Sequence, residues 1–182
     1  MLETKIQEIL TFWFEECSPE QWFKKDDQFD ALIRSRFLET YEELVAGNHG
    51  DWRETAEGCL AEIILLDQFS RNMFRDNPKA FEADPQARAC LHHALAHGFD
   101  QELTTAQRNF LYLPLEHSED AKDQEQAVEL FTANGDETTT DYAIQHKVII
   151  DRFGRFPHRN KVLGRKSTQE EEEFLTQPGS SF

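Results

Sequence analysis

The sequence has few basic residues and no long apolar run. It contains 19 Lys and Arg against 35 Asp and Glu, which gives a formal net charge of −16. A nucleic-acid-binding or membrane-surface protein generally needs a basic face, so the composition argues against both kinds of partner. No apolar segment approaches the ~18 residues of a transmembrane helix, and the first residues lack the charged and apolar regions of a signal peptide. We therefore expect a cytoplasmic protein.

Cysteine is also scarce, and it lacks the spacing of a metal site. Cys17, Cys59 and Cys90 are an odd number of widely separated thiols, which favours buried free cysteines in a reducing compartment. His93 and His97 lie four residues apart on one predicted helix face, but no carboxylate or cysteine joins them at ligand spacing. A metal site needs three or four convergent ligands. The sequence therefore predicts surface histidines here, with no metal and no cofactor.

No segment alternates between apolar and polar residues for long enough to predict a strand, so we expect an all-α protein. Its length of 182 residues favours a single helical domain over residues 1–182. Short connectors make consecutive helices antiparallel neighbours, which predicts a stack of helical hairpins. We expect Ser118 to cap one helix, and Ser167 to begin the last helix in a capping box with Glu170. Helical spacing predicts about eight helices, near residues 2–17, 27–46, 58–75, 85–97, 104–113, 118–131, 138–153 and from 167 onward.

The most apolar stretch is GCLAEIILLDQFSRNMFR, residues 58–75. It is apolar on nearly all sides, which is typical of a buried helix. Asp67 and Arg71 nevertheless fall on its main apolar face, and Arg75 follows one turn later. Buried charges are costly unless they are paired. This helix is therefore predicted to be both the core of the fold and the floor of a polar site.

Polar residues also interrupt the apolar pattern in two later segments. Between Asp141 and Lys166 seven Lys and Arg face only two Asp, which gives a local charge of +5 in an acidic chain. Arg side chains gathered near a turn suit a carboxylate or phosphate group, because each guanidinium offers paired donors. The predicted ligand-binding residues are Asp67, Arg71, Asn72, Arg75, Glu116, His117, Asp120, His146, Arg152, Arg155, His158, Arg159 and Asn160.

Three interpretations of these residues stay open at the level of sequence. The arginines can bind an anionic ligand, or they can pair with acidic residues in a network that only fixes helix packing. Alternatively, His117, His146 or His158 can serve as a general base, oriented by Asp67 or Asp120. The chain lacks a nucleophile elbow, a phosphate-binding Gly loop and a zinc-type His-Glu motif, so no named enzyme chemistry follows.

Several long motifs resemble a known family. They are LLDQFSRNMFRDNPKAFEADPQA, FLYLPLEHSED, HKVIIDRFGRFPHRNKVLGRKST and the terminal PGSSF, and they are similar to the bacterial family called domain of unknown function 924. The resemblance covers essentially the whole chain. It implies a fold like the tetratricopeptide-repeat superhelix, in agreement with the predicted hairpins. Because that family has no assigned function, the resemblance implies no catalytic residues.

The sequence thus predicts a helical-hairpin protein with a concave pocket. Asp67, Arg71 and Arg75 form the expected floor, and the loop 155–160 forms the wall. The expected partner is an anionic small molecule or peptide group. The alternatives are a small hydrolase or transferase with a pocket histidine as base, and a ligand-free scaffold or protein-interaction module.

Overall fold

The computed structural model describes residues 2–182, with side chains from Thr4 onward. About 75% of the chain is helical, and no strand occurs among the described residues. The predicted all-α class is confirmed; the resemblance to tetratricopeptide-repeat proteins stays a prediction. Within residues 2–182, no helix combines the length and hydrophobicity needed to cross a membrane.

The contacts along the chain divide it into two compact units. The first comprises the described part of Met1–Arg75 together with Lys79–Pro114, and the second comprises Asp76–Pro78 and Leu115–Phe182. The expectation of a single domain is not tested by this division and stays a prediction. Each unit is described by itself below.

The first unit contains the apolar helix singled out in the sequence. This helix starts as α4 (Ala56–Ile63), passes through a π-helical turn at Ile64–Phe69, and ends as α5 (Ser70–Met73). Every residue from Gly58 to Asp67 is buried. The helices of this unit are α1 (Leu2–Thr11, extended by a π-helical turn at Phe12–Glu16), α2 (Pro19–Phe23), α3 (Asp27–Val45), α4 (Ala56–Ile63), α5 (Ser70–Met73), α6 (Lys79–Glu82), α7 (Asp84–Ala96) and most of α8 (Thr105–Glu116), with 3-10 turns at Gly50–Glu54 and Phe99–Glu102.

Large aromatic side chains fill the core of the first unit. Phe69 in the π-helical turn lies 4.7 Å from Phe37 on α3 and 5.5 Å from Trp13, measured between ring centroids. Such aromatic pairs add to the stabilisation from buried area. Trp52 is also buried, and Trp22 is half-buried. All three cysteines are buried and free, as their spacing predicted.

The second unit is built on a helical hairpin. Gly135 and Asp136 join α9 (Ala121–Asn134) to α10 (Glu137–Phe153), and the two helices pack against each other. Gly135 adopts a positive φ of 80° at the end of α9, a conformation that favours glycine. The chain continues through a 3-10 turn at Pro157–Arg159 to α11 (Gln169–Leu175).

Two predicted helix caps are wrong by one or two residues. Asp120, not Ser118, caps α9 by accepting hydrogen bonds from the N–H groups of Lys122 and Asp123. The last helix begins after Thr168, which forms the capping box with Glu171. Residues 167–171 contain the Ser/Thr-x-x-Glu spacing twice, so the spacing alone could not select one. The helix predicted near residues 104–113 continues through Pro114 to Glu116 as α8.

Candidate functional site

In the first unit, Arg71 is enclosed by two carboxylates. Its guanidinium donates to both Asp84 oxygens at 2.9 and 3.0 Å and to the Asp67 main-chain carbonyl at 2.7 Å. The Asp67 carboxylate lies 3.3 Å away and is fully buried. Burial alone would lower the pKa of Arg71, but the charges of Asp67 and Asp84 raise it above its ordinary value. Arg71 therefore remains a cation held in an ion-pair network.

Asn72 and Arg75 make a second connection in the first unit. Both donate to Asp30 on α3: Asn72 Nδ2 at 2.7 Å, and the Arg75 guanidinium at 2.5 and 2.8 Å. This two-pronged contact is the strong form of an Arg–carboxylate pair. The residues predicted as the floor of a pocket therefore tie the α4–α5 helix to α3 and α7.

In the second unit, Arg155 and Glu171 form a similar pair. Arg155 donates to both Glu171 oxygens at 2.7 and 2.8 Å and to the Lys166 carbonyl at 2.8 Å. Glu171 also accepts from the Asn160 amide at 3.3 Å and from the Thr168 N–H at 2.8 Å. The pair therefore fixes the loop after α10 to the first turn of α11.

Arg165 and Glu119 hold the other side of the same loop. Arg165 donates to both Glu119 oxygens at 2.7 and 2.9 Å, and Glu119 accepts from the Phe156 N–H at 2.8 Å. Arg165 also reaches the Asn160 side-chain oxygen at 3.0 Å. Burial raises the pKa of Glu119, but the bonds from Arg165 and Phe156 outweigh it and hold the pKa below its usual value. The basic segment between Asp141 and Lys166 is thus neutralised in part by carboxylates that lie outside it in the sequence.

The Arg155–Glu171 pair predicts a pH-dependent stability. Hydrogen bonds from Arg155 hold the pKa of Glu171 down to about 2, below its unfolded value of about 4.3. The ionised side chain therefore stabilises the fold above about pH 4.3, and this stabilisation is lost as the pH falls toward 2. We expect the stability advantage of the wild type over Glu171→Gln to shrink below about pH 4, measured by urea unfolding monitored by circular dichroism.

Glu170→Gln is the matched control for that experiment. The Glu170 side chain is 63% exposed and pairs with Arg152, itself 45% exposed. Exposed pairs contribute little, so this variant should track the wild type at every pH. A Glu171→Gln difference that stays constant with pH would contradict the assigned ion pair.

A histidine–carboxylate cluster is the other polar feature of the second unit. It consists of Glu116 and His117 at the end of α8, and of His146 on α10. His146 Nδ1 lies 3.1 Å from the Glu116 carboxylate and 2.8 Å from the Tyr142 carbonyl, one turn earlier on α10. One potential ligand atom from each cluster residue lies within 4.8 Å of the other two. Glu116 and His146 are each 4% exposed.

Burial and nearby basic side chains lower the pKa of His146. The pKa of His146 falls to about 3, because the ring is buried and because positive charges at His117, Arg159 and His158 oppose its protonation. The hydrogen bond to Tyr142 acts in the opposite direction but does not prevail. His146 is therefore a neutral imidazole at physiological pH.

Aromatic side chains complete the surroundings of His146. Phe182 stacks on the ring at a centroid distance of 3.7 Å and an angle of 20°, and Phe156 meets it edge-on at 5.6 Å. The Arg159 guanidinium lies over Phe156 at 4.7 Å and donates to the His117 carbonyl at 2.9 Å. Phe182, the last residue of the PGSSF segment quoted from the sequence, thus packs against this cluster.

The predicted site residues therefore fall into three sets, and Arg152 and Asp120 stand apart from all of them. Asp67, Arg71, Asn72 and Arg75 join a network in the first unit. Arg155 and Asn160 join a second network, and Arg152 makes a surface pair. Asp120 caps α9, while Glu116, His117, His146, His158 and Arg159 lie at or around the cluster. A pocket that combines the predicted floor and wall stays a prediction.

Sequence reasoning missed four of the charged partners as site residues: Asp30, Asp84, Arg165 and Glu171. Glu171 alone carried a usable signal, since it occupies the third position after Thr168 in a capping-box spacing. Asp30 and Asp84 come from other helices, at separations that helical periodicity does not reveal.

Comparisons with known proteins agree with the motifs quoted from the sequence. The model of a family described as "Bacterial protein of unknown function (DUF924)" matches residues 9–179. A solved structure of a protein of unknown function from Agrobacterium tumefaciens is similar, with 37% sequence identity and a TM-score of 0.92. The match covers 96% of this chain and 98% of that chain. No curated protein matches this sequence.

Proposed function

This chain belongs to the bacterial DUF924 family, and from its second unit we propose that it binds an anionic small molecule or the carboxylate of a peptide. The observation that carries the proposal is the gathering of His117, His158 and Arg159 near the buried His146. The His117 ring lies 6.0 Å from the His146 ring, Arg159 donates to the His117 carbonyl at 2.9 Å, and the His158 ring lies 5.7 Å from that of Phe156. Imidazole and guanidinium N–H groups are the donors that carboxylates and phosphates accept most strongly. Partial exclusion of water strengthens such contacts.

The paired arginines have a different part in this proposal. Arg71, Arg75, Arg155 and Arg165 already donate to carboxylates through two nitrogens each. These contacts support the interpretation in which the network fixes helix packing. We place the ligand beside His158 and Arg159, close to the histidine–carboxylate cluster, with the ion pairs as the frame that holds the loop 154–160.

An enzymatic function is the second candidate, because His146 lies within hydrogen-bonding distance of Glu116. A hydrolase or transferase of this kind needs a base whose pKa lies near the working pH. With a pKa of about 3, His146 is too weak a base. His117 or His158 would then accept the proton, and His146 would act as a neutral donor or acceptor.

Thermal unfolding in the presence of anions tests the binding proposal. In a chelator-containing buffer, phosphate, citrate or a peptide with a free carboxylate should stabilise the wild type, by about 2.7 kcal/mol at one hundred times its dissociation constant. The response should weaken in His158→Gln and in Arg159→Met. Arg152→Met, which removes an exposed cation, should respond as the wild type does.

Two results would count against the proposal. If none of the anions raises the unfolding temperature, the second unit has no anion site of useful affinity. If all three variants respond equally, the effect is non-specific screening of charge. His158→Gln keeps the test informative if Arg159→Met fails to fold, since His158 is only half-buried.

A further inference from the structure

The chemistry of the cluster extends beyond anion binding. Two imidazoles and one carboxylate are a common ligand set for Zn²⁺ and other divalent d-block ions. They converge here from two separate elements, the end of α8 and the middle of α10. By contrast, His93 lies in the last turn of α7 and His97 directly follows that helix, and no carboxylate of the described chain joins them in a metal-ligand group.

We infer that Glu116, His117 and His146 form a binding site for a divalent d-block ion, with Zn²⁺ as the reference ion. This departs from the sequence-based expectation of no metal. A zinc ion keeps its ligand atoms about 2.0–2.2 Å away, and therefore about 3.5 Å from one another. The observed limit of 4.8 Å is close enough for small side-chain rotations to bring the ligands together.

Two further observations favour a cation at this position. His146 Nδ1 lies 3.1 Å from the Glu116 carboxylate, so two of the three side chains already lie within the ~3.5 Å separation of zinc ligands. Glu116 and His117 also lie at the C-terminal end of the twelve-residue helix α8. The carbonyl groups at a helix C-terminus carry partial negative charge and favour cations.

Three protein ligands leave at least one coordination position for water or another molecule. The inference goes beyond the proposed function, and the two can fail separately. The metal titration contains no added anionic ligand, whereas the anion titration is done with a chelator. A protein that binds zinc but no anion, or an anion but no zinc, would identify which of the two is wrong.

The test is a titration of the metal-free full chain with Zn²⁺ by isothermal titration calorimetry, and with Co²⁺ by visible absorption. We expect one equivalent to bind, with the intense d–d bands of a tetrahedral Co²⁺ site. His117→Gln and Glu116→Gln should weaken binding on the order of 100-fold, at least as much as the loss of an outer-shell partner. His117 is only half-buried, and circular dichroism without metal would verify that its variant is folded.

His97→Gln is the matched control, because the His93 and His97 rings lie 4.1 Å apart near the surface and could take up zinc adventitiously. It should bind zinc as the wild type does. Loss of binding in His97→Gln with retention in His117→Gln would overturn the inference. So would the weak octahedral Co²⁺ spectrum of an ion held mainly by water.

Discussion

Replacing Arg71 with methionine is expected to lower the free energy of unfolding by about 3 kcal/mol. The substitution keeps much of the apolar stem but removes the guanidinium that Asp67 and Asp84 share. Asp67 is fully buried and Asp84 is 6% exposed. Both buried carboxylates would then lose the cation that they share, and water would not replace it fully because they are buried. Urea unfolding followed by tryptophan fluorescence measures the effect.

Arg152→Met is the control for Arg71→Met, since it removes an arginine from an exposed ion pair. It should change stability by less than about 1 kcal/mol. The comparison also bears on function, because a stabilised Arg71→Met would mean that uncompensated positive charge was relieved. That result would favour an anion site on the α4–α5 helix and contradict the structural network described above.

Replacing Gly58 with alanine is expected to cost about 3 kcal/mol, near the upper end for overpacking a buried site. A Cβ atom at Gly58 would overlap the carbonyl oxygen of Trp52 and lie 2.7 Å from its carbonyl carbon. It would also lie 2.9 Å from the Thr55 hydroxyl, which caps α4 by accepting from the Gly58 N–H at 3.0 Å. The backbone at the start of α4 would have to move, and the cap would weaken.

Gly50→Ala provides the comparison for Gly58→Ala. No described atom lies within 4 Å of a Cβ built at Gly50, so alanine should change stability by no more than about 0.5 kcal/mol. Thermal unfolding of both variants by circular dichroism would show the contrast. If Gly58→Ala and Gly50→Ala were equally stable, the Trp52–Thr55 turn could shift without lowering the free energy of unfolding.

The helices can be predicted from the sequence because the apolar residues of a helix recur with the helical period. The stretch 58–75 is buried as its composition indicated, and Asp67 and Arg71 are paired as buried charges must be. What the pattern could not supply was the partner on another helix. Asp84 and Asp30 lie on α7 and α3, and their approach to Arg71 and Arg75 depends on how those helices pack.

The histidine cluster shows a second limit of sequence reasoning. The sequence predicts Glu116, His117 and His146 as site residues, but only as separate bases or anion contacts. Their approach within 4.8 Å joins positions about thirty residues apart, through the end of α8 and one turn of α10. Likewise, the π-helical turns at Phe12–Glu16 and Ile64–Phe69 left no recognisable signal. An extra residue in a helical turn is accommodated by tertiary packing.

The uneven distribution of tryptophan and cysteine gives the chain two built-in reporters of one unit. The sequence has three of each, and all six belong to the first unit. Indole emission and thiol alkylation therefore record the opening of residues 2–75 and 79–114, while ellipticity at helical wavelengths records both units. If the transition seen by indole emission or thiol alkylation superimposes on the transition seen by ellipticity, the protein unfolds cooperatively in two states. Separate transitions would show a partly folded species in which one unit has melted before the other.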